Sequence, residues 1–213
     1  VATKHNNKDN AQHLYLAAEA LNRSAKTEAD FANVIDIYEQ AAYRFNKGDA
    51  VSIKAGYAAI LTYDKLKSFA SHASGTTPIP TYNAARQASI ERYAKYFPYD
   101  ANTPTLQNDL ANELFKAGDF VKAQLVSAKV VENANAKPNV LYSSWLVNAH
   151  SAFELEVYTA AEIAYQEALR FKRKEDKNIL KERLAASIYK QAEAETNFDV
   201  SAALYLKVVD TVP

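Results

Sequence analysis

The chain has 213 residues, 48% of them hydrophobic and only four of them glycine, which favours a sizeable core built from long helices. Lysine plus arginine balances aspartate plus glutamate at 25 each, so charge gives no case for a nucleic-acid or anionic-membrane partner. The absence of cysteine excludes disulfide frameworks and thiolate metal sites. Methionine is absent too, so we expect a mature protein or a fragment of a longer one.

A recurring residue pattern predicts five pairs of helices. In each pair, an aromatic anchor residue opens the second helix and is followed three positions later by a small or β-branched residue. Mostly apolar residues return seven, ten and eleven positions after the anchor, which defines one face of an α-helix. The anchors are Phe31, Tyr82, Phe120, Tyr158 and Phe198. The pairs are predicted at residues 9–46, 49–97, 104–134, 140–171 and 178–212.

Capping residues mark the predicted helix starts of the first three pairs. In pair one, either Thr27 or Asp30 is expected to cap the second helix. Pair two is expected to begin after Asp49, which is a good cap for a first helix. In pair three, the hydroxyl of Thr103 is expected to cap a helix whose first turn contains Pro104.

The turn inside pair three is the most clearly marked one in the chain. Gly118 suits the end of a helix because glycine adopts positive φ without a Cβ clash. Asp119 follows it and can accept a hydrogen bond from a free backbone N–H of the next helix, which begins at Phe120. The sequence therefore predicts a helix, a tight turn and a second helix within a few residues.

Two stretches resemble the tetratricopeptide repeat (TPR) family. They are Leu110-x3-Leu114-x3-Gly118-Asp119-Phe120-x2-Ala123 and Trp145-x3-Ala149-x8-Tyr158-x2-Ala161-x3-Tyr165-x2-Ala168-Leu169. The resemblance implies an all-α fold, a right-handed α-solenoid of about five TPR-like pairs that forms a single domain over residues 1–213. The spacings between successive anchors exceed the usual TPR period of about 34 residues.

The resemblance also implies a function, a non-catalytic scaffold that binds a protein or peptide partner on its concave surface. In TPR proteins the first helices of the pairs line that surface. Asn112 and Lys116 resemble half of the clamp that some TPR domains use for a peptide carboxylate, and a solvated polar face is the alternative interpretation. The residues expected to contact the partner are Asn108, Asn112, Phe115, Lys116, Leu146, His150, Phe153 and Lys190, with Arg183 and Glu193 on the same face.

A finer resemblance concerns the segment Tyr93-Ala94-Lys95-Tyr96-Phe97-Pro98-Tyr99-Asp100, which is similar to TPR proteins of the bacterial envelope. It implies a periplasmic or outer-membrane-associated scaffold, with a cytoplasmic location as the alternative. No apolar run approaches the roughly 20 residues of a membrane-spanning helix. In addition, Tyr57, Tyr63, Tyr82, Tyr96 and Tyr99 are expected to cluster as an exposed aromatic patch, with burial of part of the cluster as the alternative because Tyr82 is also an anchor.

The sequence contains no recognisable catalytic or metal-binding motif, so we expect neither an enzyme nor a cofactor. No two of its four histidines have metal-ligand spacing, and both GxSxG and glycine-rich phosphate loops are missing. The main alternative is a substrate-positioning or interaction arm of a larger multidomain enzyme. A ligand-binding enzyme with its site in the loop 71–81 is the least favoured hypothesis, and the sequence does not indicate the oligomeric state.

Overall fold

A computed structural model describes the backbone of residues 2–45, 48–72, 79–171 and 177–212, and the side chains of residues 10–45, 48–70, 81–171 and 177–212. The described residues form ten α-helices and no β-strand, and chain neighbours pack against one another in order. The all-α prediction is confirmed, and the packing order is consistent with a helical repeat. The helices are α1 (Ala2–Ser24), α2 (Glu28–Tyr43), α3 (Ala50–His72), α4 (Ile79–Tyr96), α5 (Thr103–Lys116), α6 (Phe120–Val131), α7 (Pro138–Glu154), α8 (Tyr158–Phe171), α9 (Lys177–Ala194) and α10 (Phe198–Thr211).

The helices group into two compact units, an N-terminal unit over Val1–Thr103 and a C-terminal unit over Pro104–Pro213. The division falls at the start of α5. All the residues predicted to contact a partner belong to the C-terminal unit. The least favoured hypothesis placed an enzyme site in the loop 71–81. The backbone of residues 73–78 and the side chains of residues 71–80 lie outside the described part.

In the N-terminal unit, α2 packs against both α1 and α3. Tyr38 of α2 is fully buried, and its hydroxyl donates to the carboxylate of Glu19 on α1 and accepts from the Asn22 amide. Small side chains allow the helices around this ring to approach closely, since alanine leaves little bulk between two backbones. The buried members of this cluster are Ala18, Val34, Tyr38, Ala41, Ala42, Ala55 and Ala59.

Local hydrogen bonds decide where the predicted second helix of pair one begins. The Thr27 hydroxyl accepts from the Asp30 backbone N–H at 3.1 Å, and the Asp30 carboxylate accepts from the Thr27 N–H at 2.9 Å. This reciprocal capping box makes Thr27 the cap and starts α2 at Glu28, three residues before the anchor Phe31. The Asp49 carboxylate accepts from the Ser52 N–H at 2.8 Å, so the predicted cap of α3 is confirmed.

At the end of the N-terminal unit, Thr103 does not cap α5 as predicted. Its hydroxyl donates to the Phe97 carbonyl oxygen at 2.7 Å instead of capping α5, and Thr103 is itself the first residue of that helix. In the same turn, the Tyr93 hydroxyl donates to the Asp100 carboxylate at 2.7 Å. Tyr93 and Phe97 are buried, so the segment from Tyr93 to Asp100 has a local role in closing this turn.

Of the five tyrosines expected to form an aromatic patch, only one is exposed, and the alternative that part of the cluster is buried holds for Tyr82. Tyr82 is buried, while Tyr57, Tyr63 and Tyr96 are half-buried. Only Tyr99 is largely exposed, at 86% of its surface. The difference arises because rings from α2, α3 and α4 face one another, with centroids as close as 5.1 Å. These tyrosines therefore contribute to packing and do not form a joint surface.

In the C-terminal unit, α7 packs against α6 and α8, and α9 packs against α8 and α10. Its core is rich in alanine on α7 and α8, which lets these helices lie close together around the buried ring of Tyr165. Leucine and isoleucine side chains of α9 cover the other side of α8. The buried members are Ala149, Ala152, Ala161, Ala164, Tyr165, Ala168, Leu180, Leu184 and Ile188.

Two turns of this unit share one hydrogen-bonding pattern. After α5, the N–H groups of Gly118 and Asp119 donate back to carbonyls of the last helical turn, each at 3.0 Å. After α7, Glu156 and Val157 repeat these two bonds at 3.0 and 2.9 Å. Both C′ residues have positive φ, 81° at Gly118 and 60° at Glu156, as the Schellman motif requires. The predicted helix–turn–helix at Gly118 is confirmed, as is capping by Asp119, which accepts from the Lys122 N–H.

The five anchors differ in burial. Phe31 and Tyr82 are each only 8% exposed, and Phe120 and Tyr158 are half-buried. Phe198 is 83% exposed, so its prediction as a packed anchor is wrong. Phe31 is covered by side chains of the following helix α3, whereas Phe198 is not part of the buried cluster that α7, α8 and α9 form.

Candidate functional site

The predicted partner-contacting residues lie on α5, α7 and α9, the first helices of the last three pairs. Lys116 and Lys190 are exposed, and Asn108 is buried. The others are half-buried, so each shows part of its side chain to solvent while the rest contacts neighbouring helices. The half-buried residues are Asn112, Phe115, Leu146, His150 and Phe153.

The structure brings Phe115 and His150 together. The ring of Phe115, on α5, lies 5.9 Å from the imidazole of His150, on α7, and 5.3 Å from the ring of Phe120. Nδ1 of His150 lies 2.7 Å from the hydroxyl of Tyr165, on α8. Rings from four consecutive helices thus meet in one cluster, which we call the His150 cluster: Phe115, Phe120, His150 and Tyr165.

The electrostatics of the His150 cluster favour neutral side chains near pH 7. Burial lowers the pKa of His150, the Arg183 guanidinium on α9 lowers it further, and Glu154 opposes them. Burial raises the pKa of Tyr165 to about 12. We therefore assign the Tyr165 hydroxyl as the donor to Nδ1, which places the imidazole proton on Nε2. In this state the cluster presents an N–H donor beside the aromatic face of Phe115.

The two asparagines of α5 already make hydrogen bonds to α7. The Asn108 side-chain oxygen accepts from the Ser144 hydroxyl at 2.9 Å, and this contact is buried. The Asn112 amide donates to the Asn108 backbone carbonyl at 2.8 Å and lies 3.3 Å from the Ser143 hydroxyl. These bonds hold α5 against α7, and the part that Asn112 and Lys116 would play in a carboxylate clamp stays a prediction.

The remaining predicted residues have other neighbours. Phe153 meets the ring of Tyr158 edge-on at 5.3 Å. Leu146 packs against the alanine-rich core of the unit. Lys190 pairs with Glu193 one turn further along α9, at 2.7 Å, and this exposed pair contributes little to stability.

Sequence reasoning missed the hydroxyl of Tyr165. Tyr165 stands at a core position of the repeat pattern, and only 1% of its surface is indeed exposed. A periodic pattern assigns a whole side chain to one face, whereas tyrosine has an apolar ring and a polar tip that can reach elsewhere. The choice of tyrosine over phenylalanine at a core position was the available signal.

The described side chains include no group of three or more His, Cys, Asp or Glu that could hold a metal ion. Within the described helices, none is both long and apolar enough to cross a membrane. What the His150 cluster offers is aromatic surface, an imidazole N–H and nearby positive charge. These groups can bind another molecule through apolar contact and hydrogen bonds.

The chain matches no protein-family model and no curated protein sequence. The TPR resemblance therefore stays a prediction that depends on the residues quoted above.

Proposed function

We propose that the chain is a non-catalytic, TPR-like scaffold that binds a protein or peptide partner along α5, α7 and α9. The observation that carries this proposal is the His150 cluster, where half-buried rings from the first helices of two consecutive pairs meet. A row of such side chains across successive first helices suits an extended peptide or a helix.

The chemistry around the cluster favours a partner segment with apolar and acidic residues. Phe115 and the neighbouring imidazole offer aromatic surface, which is enriched at protein interfaces. Lys116 and Arg183 are exposed cations at the ends of this row, and both can form charge-assisted hydrogen bonds to a carboxylate.

A pull-down from membrane extracts tests this face. The double variant Lys116→Glu/Arg183→Glu reverses both exposed charges and should lose the partner that the unaltered chain recovers. A matched control is Lys129→Glu/Lys137→Glu, which changes the net charge equally at exposed positions of α6 and of the cap of α7. Equal recovery of every partner by all three proteins would contradict binding on this face.

We further propose, from the sequence motifs alone, that the helix pairs form a right-handed TPR-like solenoid. We also propose that the protein belongs to a bacterial envelope complex. The segment from Tyr93 to Asp100 supports the envelope assignment. Cell fractionation with an antibody against the chain tests it, and a signal found wholly in the cytoplasmic fraction would contradict it. The alternative, an arm of a multidomain enzyme, predicts a catalytic domain encoded next to this stretch.

A further inference from the structure

A groove of about 550 Å³ opens in the C-terminal unit between the α7–α8 turn, the end of α9 and the first turns of α10. Its size lies in the range of small binding sites, about 300–1,000 Å³. Five of the residues that line it are apolar, and two of these, Val157 and Val200, are each 46% exposed. The apolar lining comprises Val157, Tyr158, Ala194, Val200 and Leu204.

The equivalent place in the N-terminal unit is filled. There, the anchor of α2, the end of α3 and the anchor of α4 form a closed cluster of Phe31, Leu66 and Tyr82, with Phe69 packed against it. The rings of Phe31 and Phe69 lie 5.7 Å apart, and Tyr82 is 8% exposed. The same three elements in the C-terminal unit are the anchor of α8, the end of α9 and the anchor of α10, and they leave the groove open.

Two differences between the units accompany the open groove. Phe69 is the third residue before the end of α3, and the corresponding residue of α9 is Gln191. The Gln191 amide donates to the Glu162 carboxylate at 2.7 Å, so it satisfies a buried charge instead of filling the space with a ring. The anchor Phe198 has 83% of its surface exposed, whereas the anchor Tyr82 is buried.

The rim of the groove is acidic. Among the described residues, its lining contains two carboxylates, Glu156 and Glu195, and no basic side chain. The nearby lysines are occupied, because Lys190 pairs with Glu193 at 2.7 Å and Lys207 pairs with Glu162. An incoming cation therefore meets negative charge beside an apolar opening.

From this combination we infer that the groove is a second docking site, which binds a partner segment carrying an aromatic or large aliphatic side chain next to lysine or arginine. The apolar side chain takes the place that Phe69 holds in the N-terminal unit, and it packs against Val157, Val200 and Leu204 of the lining. The adjacent cation pairs with the rim carboxylates. This site uses α8, α9 and α10. The scaffold face, by which we mean the partner-binding surface proposed along α5, α7 and α9, depends on Lys116 and Arg183. The two proposals can therefore fail separately.

Titration with three short peptides tests the site, using backbone amide chemical shifts of the whole chain as the readout. The probes are acetyl-Lys-Phe-Lys-amide, acetyl-Glu-Phe-Glu-amide and acetyl-Lys-Gly-Lys-amide. We expect the first to shift the amides of Thr159, Gln191, Ala194 and Val200 with a dissociation constant on the order of 1 mM, as suits so few contacts. The other two should produce no saturable shifts there, because each lacks one required feature.

Variants of the groove make the test specific. Glu156→Lys/Glu195→Lys should weaken acetyl-Lys-Phe-Lys-amide about tenfold, since each rim contact changes from attraction to repulsion, and should let acetyl-Glu-Phe-Glu-amide bind. Ala194→Trp places a ring in the groove from an exposed position and should abolish both interactions. The control Glu132→Lys/Glu182→Lys changes the net charge equally at exposed positions outside the lining and should bind as the unaltered chain does.

The outcomes separate this site from the scaffold face. Circular dichroism confirms that each variant is folded, and Lys116→Glu/Arg183→Glu should leave peptide binding at the groove unchanged. Three outcomes would each overturn the inference. They are equal shifts from all three peptides, shifts confined to other amides, and a Glu156→Lys/Glu195→Lys variant that keeps the preference for the basic peptide over the acidic one. Loss of the pull-down partner with intact peptide binding would instead concern the scaffold face alone.

Discussion

At the scale of single residues, the two Schellman turns of the C-terminal unit differ in the residue that adopts positive φ. Gly118 meets nothing within 4 Å of an added Cβ, so backbone strain alone should make Gly118→Ala less stable, by about 1 kcal/mol. Glu156 already bears that strain, and Glu156→Gly should stabilise the protein by about 0.5 kcal/mol after the entropy gained by the unfolded chain is subtracted. Urea unfolding measures both, and two shifts of the same sign would contradict this account.

A second glycine matters for a different reason, because Gly56 lies where three aromatic side chains approach the backbone of α3. A Cβ there would lie 2.9 Å from Cδ2 of Tyr93 and 3.1 Å from both Cε2 of Phe97 and the hydroxyl of Tyr43. Overpacking costs about 1–3 kcal/mol, against about 1 kcal/mol gained in helix propensity, so Gly56→Ala should be destabilising overall.

Urea unfolding of Gly56→Ala beside Lys54→Ala, an exposed position of the same helix, measures this effect. The control should change stability little. A Gly56→Ala protein at least as stable as the unaltered chain would show that the three rings shift without cost.

The pH dependence of stability tests the environment of His150. Its pKa is lowered in the folded protein, mainly by burial and then by Arg183, so the unfolded chain takes up the proton first as the pH falls. The contribution is therefore fully present above the ordinary pKa of 6.5 and is lost as the pH falls from there through the folded value. His150→Gln can keep a hydrogen bond to Tyr165. Between pH 7 and pH 5, its melting temperature should fall less than that of the unaltered chain. Identical losses in both proteins would contradict the assignment.

At the scale of elements, α10 depends on one polar contact more than the other helices do, because it contains no buried residue. The buried Glu162 carboxylate of α8 accepts from Lys207 of α10 and from Gln191 of α9, and so joins three helices. Lys207→Met should lower stability by about 1 kcal/mol, since a buried carboxylate loses its charged partner while the glutamine bonds remain.

Hydrogen exchange measures this effect where it should occur. Amides of α10 should exchange faster in Lys207→Met, and those of α7 should be unchanged. The control Arg170→Met removes an exposed pair with Glu167 and should leave α10 as it was. Unaltered exchange in α10 would show that its other contacts, which include the Ser201 hydroxyl bond to the Ala192 carbonyl and the Tyr189–Tyr205 ring contact, hold the helix without Lys207.

Helix periods and capping residues predicted most of the elements in this chain. The offsets after Phe31 match the buried face of α2, and Asp49 and Asp119 cap the helices they were expected to cap. These features are local, so they can be recognised without knowing the neighbouring helices. Thr103 was assigned wrongly because its hydroxyl has a competing partner, the Phe97 carbonyl, which only the folded turn brings close.

At the scale of the whole molecule, the division into two units predicts that residues 104–213 fold without the rest. The core of this unit is formed by α7, α8 and α9, all within it, and about 110 residues is an ordinary size for a domain. The fragment should show helical circular dichroism and a cooperative thermal transition. A gradual, featureless melt would show that its helices need the N-terminal unit.

The sequence by itself determined the helical class and the apolar face of helices such as α2, because hydrophobic period and capping are encoded in neighbouring residues. Tertiary structure decided which of those faces are covered and what the polar tips contact. Phe31 and Phe198 occupy the same position of the pattern, yet one is buried by a following helix and the other is exposed. His150 likewise lies against Phe115 and hydrogen-bonds Tyr165, and burial and then Arg183 lower its pKa; these partners lie on three other helices.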